Sequence, residues 1–136
     1  MVEMSIVYKG QLRTEITHKP SKAVLETDAP VDNMGRGEAF SPTDLLAASL
    51  ASCMLTTMAI VAQRENVGLG QVKVTVGKEM TSSGPRRVQR LTVRFDLPAG
   101  FEALQRRKLE MAAHACPVSK SLHSDVQVET TFNWAD

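Results

Sequence analysis

The sequence predicts an α+β fold in which one long helix is flanked by antiparallel sheets. Two observations carry this prediction. An uncharged stretch of 18 residues covers 45–62, which is too long for an ordinary strand. After it, the segments QVKVTVGKEM at 71–80 and VQRLTVRFDL at 88–97 alternate apolar and polar residues, as half-buried strands do.

An antiparallel sheet is also expected before the helix, because the runs MSIVYKG and AVLETD look extended. Its strands are predicted at 2–9, 11–18 and 22–27. The residues that follow, 28–40, contain Pro30, Gly35 and Gly37 and show neither the helical nor the strand period. We therefore predict a connection at 28–40 that is long enough to carry function.

The residues before the uncharged stretch have the chemistry of a helix start. Ser41 can cap the first turn, Pro42 suits the first helical position, and Asp44 can reach back as a short capping-box acid. Charged residues return after 62, and Gly68 then supplies a stop signal. The sequence therefore predicts a helix that starts at 41–42 and ends before Gly68.

This helix is apolar on nearly all sides, so protein must enclose it. Its length would permit a membrane span, but it contains four Ser and Thr residues and lacks flanking basic clusters. One domain of this size can hardly cover ~35 Å of helix, at ~1.5 Å per residue. A homodimer that sandwiches two such helices between sheets is the simplest arrangement.

The remaining segments predict a hairpin, two helical pieces and a final strand. The hairpin is formed by the alternating segments 71–80 and 88–97. Helical spacing covers 101–115, after which Pro117 ends that helix and can begin a second, short one. A final strand is expected at 125–134.

The composition indicates one globular domain over 1–136, with 43% hydrophobic and 23% charged residues. Lys and Arg number 16 and Asp and Glu 15, so the net charge is +1. No charge surplus exists to drive binding to nucleic acid or a membrane, and neither partner is expected. The first ten residues lack the basic and apolar regions of a secretory signal, so we expect a cytoplasmic protein.

Cys53 and Cys116 are the candidates for redox chemistry. Two cysteines, 63 positions apart (116 minus 53), are too few for a disulfide-rich scaffold but enough for one redox pair. Cys53 lies within the long helix, where an inert buried thiol is the commoner outcome. Cys116 precedes Pro117, and a place at a helix start would favour its thiolate, although a buried turn cysteine is equally compatible. The spacing leaves open whether the two thiols meet.

Metal and cofactor motifs give weaker signals. A zinc site around His114 and Cys116 would need His18, His123 or Cys53, and these scattered residues lack the paired close spacings of zinc ligands. The sequence contains no phosphate loop, dinucleotide fingerprint or Gly-x-Ser-x-Gly elbow. We expect neither a metal nor a cofactor.

Two cysteine motifs stand far apart in the chain. The first is AFSPTDLLAASLASC at 39–53, a Ser-Pro helix start with small residues leading to Cys53, and the second is CPVSK at 116–120. Their combination, together with the order of elements over essentially the whole chain, resembles the OsmC/Ohr family of osmotically inducible and organic hydroperoxide resistance proteins. Asp-Ala-Pro at 28–30, together with Ser-Pro-Thr-Asp at 41–44, resembles a less characterised OsmC-like branch of that family.

The resemblance implies an OsmC-like fold, an intertwined homodimer whose long central helices pack between antiparallel sheets. It also implies a thiol peroxidase that reduces organic hydroperoxides in defence against oxidative stress. Cys53 would be the peroxidatic thiolate and Cys116 the resolving thiol, and a dithiol such as a lipoylated protein would reduce the disulfide they form. An arginine would stabilise the attacking thiolate, for which Arg13 and Arg36 are both candidates.

One position departs from the pattern of the peroxidase branches. They usually open the helix with Asn-Pro-Glu, and this Glu pairs with the arginine, whereas here Thr43 occupies the matching position and Asp44 follows. The departure keeps a second hypothesis open: a small-molecule-binding or stress-associated dimer without peroxidase activity. A third, a hotdog-type thioesterase that uses Asp44, leaves both cysteines unexplained.

Overall fold

The computed structural model describes all residues, Met1–Asp136. They form two compact units, an N-terminal unit, Met1–Leu46, and a C-terminal unit, Ala47–Asp136. The long helix α1 (Pro42–Arg64) begins in the first unit and continues in the second. Six strands and three α-helices in this order confirm the predicted α+β class.

An antiparallel three-stranded sheet occupies most of the N-terminal unit, as predicted. Its strands are β1 (Met4–Gly10), β2 (Arg13–His18) and β3 (Val24–Asp28), in the order β1-β2-β3. Gln11 and Leu12 join β1 to β2, and both have positive φ, 55° and 62°. This conformation matches the twist of a two-residue hairpin turn, although glycine or asparagine is the usual choice at both positions.

The connection after β3 is a folded loop with one 3₁₀ turn at Val31–Asn33. Its two ends are held together, because the backbone N–H of Asp28 donates to the carbonyl of Phe40 at 3.0 Å. Gly35 is required in this loop, since a Cβ there would lie 1.7 Å from the carbonyl oxygen of Ala29. The loop therefore has a defined conformation that depends on a close backbone approach.

Helix α1 begins with the predicted capping interactions. The backbone N–H of Ser41 donates to Asp44 Oδ2 at 2.9 Å, and the backbone N–H of Asp44 donates to Ser41 Oγ at 3.0 Å. Aspartate thus takes the place of the capping-box glutamate. The helix ends at Arg64, and Asn66, with φ 56°, supplies the left-handed residue there instead of the expected Gly68.

By length and composition alone, α1 could cross a membrane. The same test is passed by core helices of soluble proteins, and α1 places Leu50, Met54 and Met58 in the core of the C-terminal unit, where they are fully buried. Only 33% of its most apolar 18-residue window is buried within the chain. Much of this apolar helix therefore remains uncovered by its own chain.

The second sheet is mixed, which corrects the expectation of purely antiparallel sheets. It contains β4 (Lys73–Met80), β5 (Val88–Leu97) and β6 (Gln127–Trp134), in the order β4-β5-β6. The first two form the predicted antiparallel hairpin, whereas β6 runs parallel to β5. Parallel neighbours need a crossover connection. Two helices, α2 (Ala103–His114) and α3 (Pro117–Ser121), lie in that connection.

Strand β5 lies at the centre of the core of the C-terminal unit. Leu91, Val93 and Phe95 of this strand are fully buried, in agreement with the alternation of the sequence. The Phe95 ring stacks on that of Phe132 in β6, with 4.9 Å between the ring centroids. This contact joins the parallel pair of strands through side chains as well as backbone.

Candidate active site

The first candidate thiol, Cys53, lies in the middle of α1 and is half-buried. The hydroxyl of Thr57, one turn later, donates to the Cys53 carbonyl at 2.8 Å. This bond satisfies the hydroxyl through the backbone, as Thr side chains in helices commonly do. Ser49 and Thr56, which share this side of the helix by spacing, are exposed.

The second candidate thiol, Cys116, is fully buried. In the sequence it lies between α2 and α3. It is the N-cap residue of α3, and its Sγ accepts the backbone N–H of Ser119 at 3.3 Å. Pro117 occupies the first turn of α3, as predicted. The helix-start position expected for Cys116 is therefore present.

The two cysteines lie near each other within the C-terminal unit. Both are free thiols that are not at disulfide distance, and Cys53 is close enough to Cys116 to affect its ionisation. Burial raises the pKa of the Cys116 thiol, and the adjacent Cys53 raises it further, whereas backbone N–H groups of Ser119 and Val118 lower it. The net direction is upward, which favours the buried turn cysteine over the activated thiolate, the two alternatives that the sequence left open: loss of water outweighs the helix-end donors.

Arg13 is held by two carboxylates within the N-terminal unit. Its Nη2 lies 3.1 Å from Glu38 Oε2 and 3.7 Å from Asp28 Oδ2. Its side chain is 33% exposed, whereas that of Asp28 is 1% exposed. Arg36, the other candidate arginine, is exposed in the loop before α1. Of the two arginines, Arg13 has the more defined position.

Asp28 is a residue that the sequence analysis missed. It ends β3, and its Oδ2 accepts the backbone N–H of Glu38 at 3.0 Å. Its Oδ1 is buried without a hydrogen-bond partner. Asp28 therefore joins β3, Arg13 of β2 and the following loop. The only signal was an acid next to Ala29 and Pro30, which also fits an ordinary turn.

The other titratable candidates have local roles. The carboxylate of Asp44 caps α1, and His18 Nδ1 lies 2.6 Å from Ser21 Oγ. The ring of His114 meets Phe132 edge-on, with centroids 5.6 Å apart. The chain contains no group of three or more His, Cys, Asp or Glu side chains that could hold a metal ion.

An open apolar groove of about 300 Å³ lies beside α1 in the C-terminal unit. It is lined by residues of α1 and β4: Ala48, Ala51, Ser52, Leu55, Val74 and Val76. Ser52 directly precedes Cys53, but consecutive residues of a helix point about 100° apart, and Cys53 is not among the residues that line the groove. Its walls suit an alkyl or aryl group better than a charged one.

The fold and the two thiols define the class: a small α+β protein with one cysteine within its long helix and a second at the start of a short helix. A family model described as OsmC-like protein matches residues 35–131, more than half of the chain. A solved structure from Psychrobacter arcticus 273-4 is 39% identical, with a TM-score of 0.91 over 98% of this chain and 96% of that chain. Its assignment to the osmotic stress and detoxification response is provisional. The chain belongs to the OsmC-like protein family.

Two further solved structures share the fold at lower identity. The organic hydroperoxide resistance protein OsmC of Legionella pneumophila is 21% identical, with a TM-score of 0.74 over 98% of this chain and 96% of that chain. The organic hydroperoxide resistance protein OhrB of Bacillus subtilis is 18% identical, with a TM-score of 0.72 over 98% of both chains. The likeness to these two shows the fold alone. No curated protein sequence matches the chain.

Proposed function

We propose that the protein is a thiol-dependent peroxidase that reduces organic hydroperoxides through Cys53 and Cys116, in defence against oxidative stress. The observation that carries the proposal is the neighbouring pair of free thiols, one half-buried and one fully buried. Such a peroxidase needs an attacking sulfur that substrate can reach and a second thiol close to the oxidised product. Two proteins of similar fold are named for organic hydroperoxide resistance.

The proposed reaction uses one hydroperoxide and two thiols. The Cys53 thiolate attacks the terminal peroxide oxygen, so that an S–O bond forms and the O–O bond breaks. The alkoxide leaves and takes up a proton, which gives an alcohol and a sulfenic acid on Cys53. The Cys116 thiol then condenses with this sulfenic acid, forming the disulfide and releasing water. An external dithiol, such as a lipoylated protein, reduces the disulfide and is itself oxidised to a disulfide.

The raised pKa of Cys116 supports this assignment of roles. Its burial, and the negative charge that an ionised Cys53 would place beside it, keep Cys116 protonated while Cys53 attacks. A buried thiol is also protected from direct oxidation by solvent-borne peroxide. Cys116 is therefore suited to the resolving step, in which it attacks the sulfenic acid next to it.

A cation near Cys53 would favour its thiolate, and we propose Arg13 for this role, with Arg36 as the second candidate. Arg13 is favoured because Asp28 and Glu38 restrict its guanidinium, so less side-chain entropy is lost when it orients toward a thiolate. Arg36 lies on the exposed loop and would lose more side-chain entropy on orienting toward the thiolate. Neither assignment needs a metal or a cofactor.

We propose that the substrate is an organic hydroperoxide. Two proteins of similar fold are named for organic hydroperoxide resistance, and an alkyl or aryl tail would be stabilised by contacts with apolar side chains. Hydrogen peroxide has no such tail and would gain nothing from these contacts. We therefore expect faster reaction with an organic hydroperoxide than with hydrogen peroxide.

We also propose that the chain, as one OsmC-like domain over 1–136, forms an intertwined homodimer in the cytoplasm. Met4, Ile6 and Tyr8 share one face of β1, and each is more than half exposed. The part of α1 that its own chain leaves uncovered is a second exposed apolar surface, and such surfaces commonly mark interfaces. A second copy would bury both surfaces, and the reducing cytoplasm would keep the thiols ready for reaction.

Single-turnover oxidation without an added reductant tests the proposal. The parent protein should consume one equivalent of cumene hydroperoxide and form the disulfide. Cys116→Ser should also consume one equivalent but stop at a sulfenic acid, which dimedone traps on Cys53. Cys53→Ser should consume no hydroperoxide in the time that the parent takes to react. Addition of dihydrolipoamide should restore a second turnover in the parent.

Equal peroxide loss in the parent and both variants would contradict the mechanism. Fully reduced thiols in the parent after exposure would instead favour the second hypothesis, a stress-associated or small-molecule-binding dimer. Thr43 is the observation behind that hypothesis, because its hydroxyl lies 3.2 Å from Ser41 Oγ, where the peroxidase branches would carry a carboxylate.

A further inference from the structure

Helix α3 (Pro117–Ser121) depends on the side chain of the proposed resolving cysteine. The backbone N–H of Ser119 donates to Cys116 Sγ at 3.3 Å, and this sulfur is the side-chain cap of the helix. None of the five residues of α3 is buried. Because so short a helix has little stability of its own, loss of a cap matters more here than in a long helix.

The other contacts of α3 are few and local. The backbone N–H of Lys120 donates to the Cys116 carbonyl at 3.3 Å, and Ser121 Oγ donates to the Pro117 carbonyl at 2.9 Å. On one side α2 is fixed by its buried residues, and on the other side β6 is fixed by pairing with β5. A change in the cap would therefore be confined to the segment between α2 and β6.

Closing the disulfide must move the capping sulfur. An S–S bond requires about 2.05 Å between the sulfurs and a C–S–S–C dihedral near ±90°. Both thiols are free, so Cys116 Sγ must move toward Cys53 when the bond closes. Sulfur is a weak acceptor, and hydrogen bonds weaken steeply as their geometry departs from linear. The N–H of Ser119 then loses the sulfur acceptor that caps the helix.

We propose that α3 is a redox-sensitive element: closing the Cys53–Cys116 disulfide removes its cap and unwinds Pro117–Ser121, and reduction restores it. The inference rests on the proposed function for its oxidant. One organic hydroperoxide takes two electrons from the two thiols, and the products are the S–S bond, one alcohol and one water. The unwound segment distinguishes the oxidised chain from the reduced chain at the protein surface.

Hydrogen exchange resolved to single amides tests this element. After oxidation with one equivalent of cumene hydroperoxide, the amide of Ser119 should exchange about fivefold faster or more, the factor expected for loss of a typical hydrogen bond. Amides of β5 should keep their protection, because that strand lies at the centre of the sheet. Unchanged protection of Ser119, in protein whose mass proves the disulfide, would overturn the proposal.

A chemical oxidant separates this inference from the peroxidase proposal. If hydroperoxide leaves the thiols reduced, the disulfide is formed with diamide and the exchange measurement is repeated. A cross-link with faster Ser119 exchange would then support the α3 element although the peroxidase proposal had failed. Failure of diamide to join the two sulfurs would overturn the α3 proposal, because the sulfurs could not approach each other.

Two variants at one position provide a matched control. Ser119→Pro removes the donor N–H, whereas Ser119→Ala keeps it. In Ser119→Pro the amide of Lys120 should exchange rapidly in both redox states, and in Ser119→Ala the redox difference should persist. Redox-dependent protection of Lys120 that survives in Ser119→Pro would show that the sulfur cap does not control α3.

Discussion

Replacing Arg13 by methionine would leave a buried carboxylate without its cation. Methionine keeps much of the apolar stem of arginine, so the substitution removes the guanidinium with little loss of packing. Asp28 would retain the backbone N–H of Glu38 on Oδ2, and its Oδ1 already has no partner. With 1% of its side chain exposed, Asp28 could not recover this loss from water.

The structure sets the size of the effect. Removing one partner from a fully buried ion pair costs about 3–5 kcal/mol. Arg13 is 33% exposed, and its Nη2 lies 3.7 Å from Asp28, so solvent screens part of the attraction. We therefore expect Arg13→Met to lower the free energy of unfolding by ~1–3 kcal/mol.

Urea unfolding followed by circular dichroism measures this loss at a fixed protomer concentration, which matters if the protein is a dimer. Glu38→Gln is the matched control, because it removes the exposed partner of the same guanidinium and should cost ~0–1 kcal/mol. Adding Asp28→Asn to Arg13→Met should recover part of the loss, since the buried charge is then gone.

A loss below about 0.5 kcal/mol for Arg13→Met would refute this reasoning, because that is the range of ordinary surface substitutions. A Glu38→Gln variant whose free energy of unfolding falls as much as that of Arg13→Met would also refute it. Peroxide turnover in the same proteins tests the proposed role of Arg13. The turnover rate, measured without urea at a temperature where both variants remain folded, should fall further in Arg13→Met than in Glu38→Gln.

Three further changes have defined outcomes. Asp44→Ala should lower stability in urea by ~0.5–2 kcal/mol, because the N–H of Ser41 loses its acceptor, and no change would argue against the reciprocal cap. Phe95→Ala should lower it by ~3–5 kcal/mol by emptying the centre of the core, and a loss under ~1 kcal/mol would contradict that burial. The raised pKa of Cys116 means that the unfolded chain releases this proton first, so stability should fall as pH rises above about 8.5. Cys116→Ala should remove this part of the pH dependence in urea titrations, and an unchanged slope would contradict it.

Local features were predictable from the sequence because their causes lie within a few residues. Ser41 and Asp44 cap α1 through atoms three positions apart, and the alternation at 88–97 identifies the buried face of β5. The parallel pairing of β6 with β5 was not predictable in this way. It joins segments more than thirty positions apart, and no local pattern specifies the direction of such a strand.

The candidate site shows the same division. Both cysteines could be selected from their motifs, but their meeting depends on how α1 and the α2–α3 junction pack. The ionisation of Cys116 stayed open at the level of the sequence because a helix start is visible there, whereas complete burial is not. Asp28 was missed for a similar reason, since its burial arises only when β3 and the loop before α1 close around Arg13.

The most direct test of the central claim is the intact mass of the reduced protein after one equivalent of cumene hydroperoxide, with free thiols alkylated as the protein is denatured. A parallel sample receives hydrogen peroxide. We predict a loss of two hydrogen atoms, a peptide that links Cys53 to Cys116, and a faster reaction with the organic peroxide. Two fully alkylated thiols after exposure would contradict the proposed peroxidase.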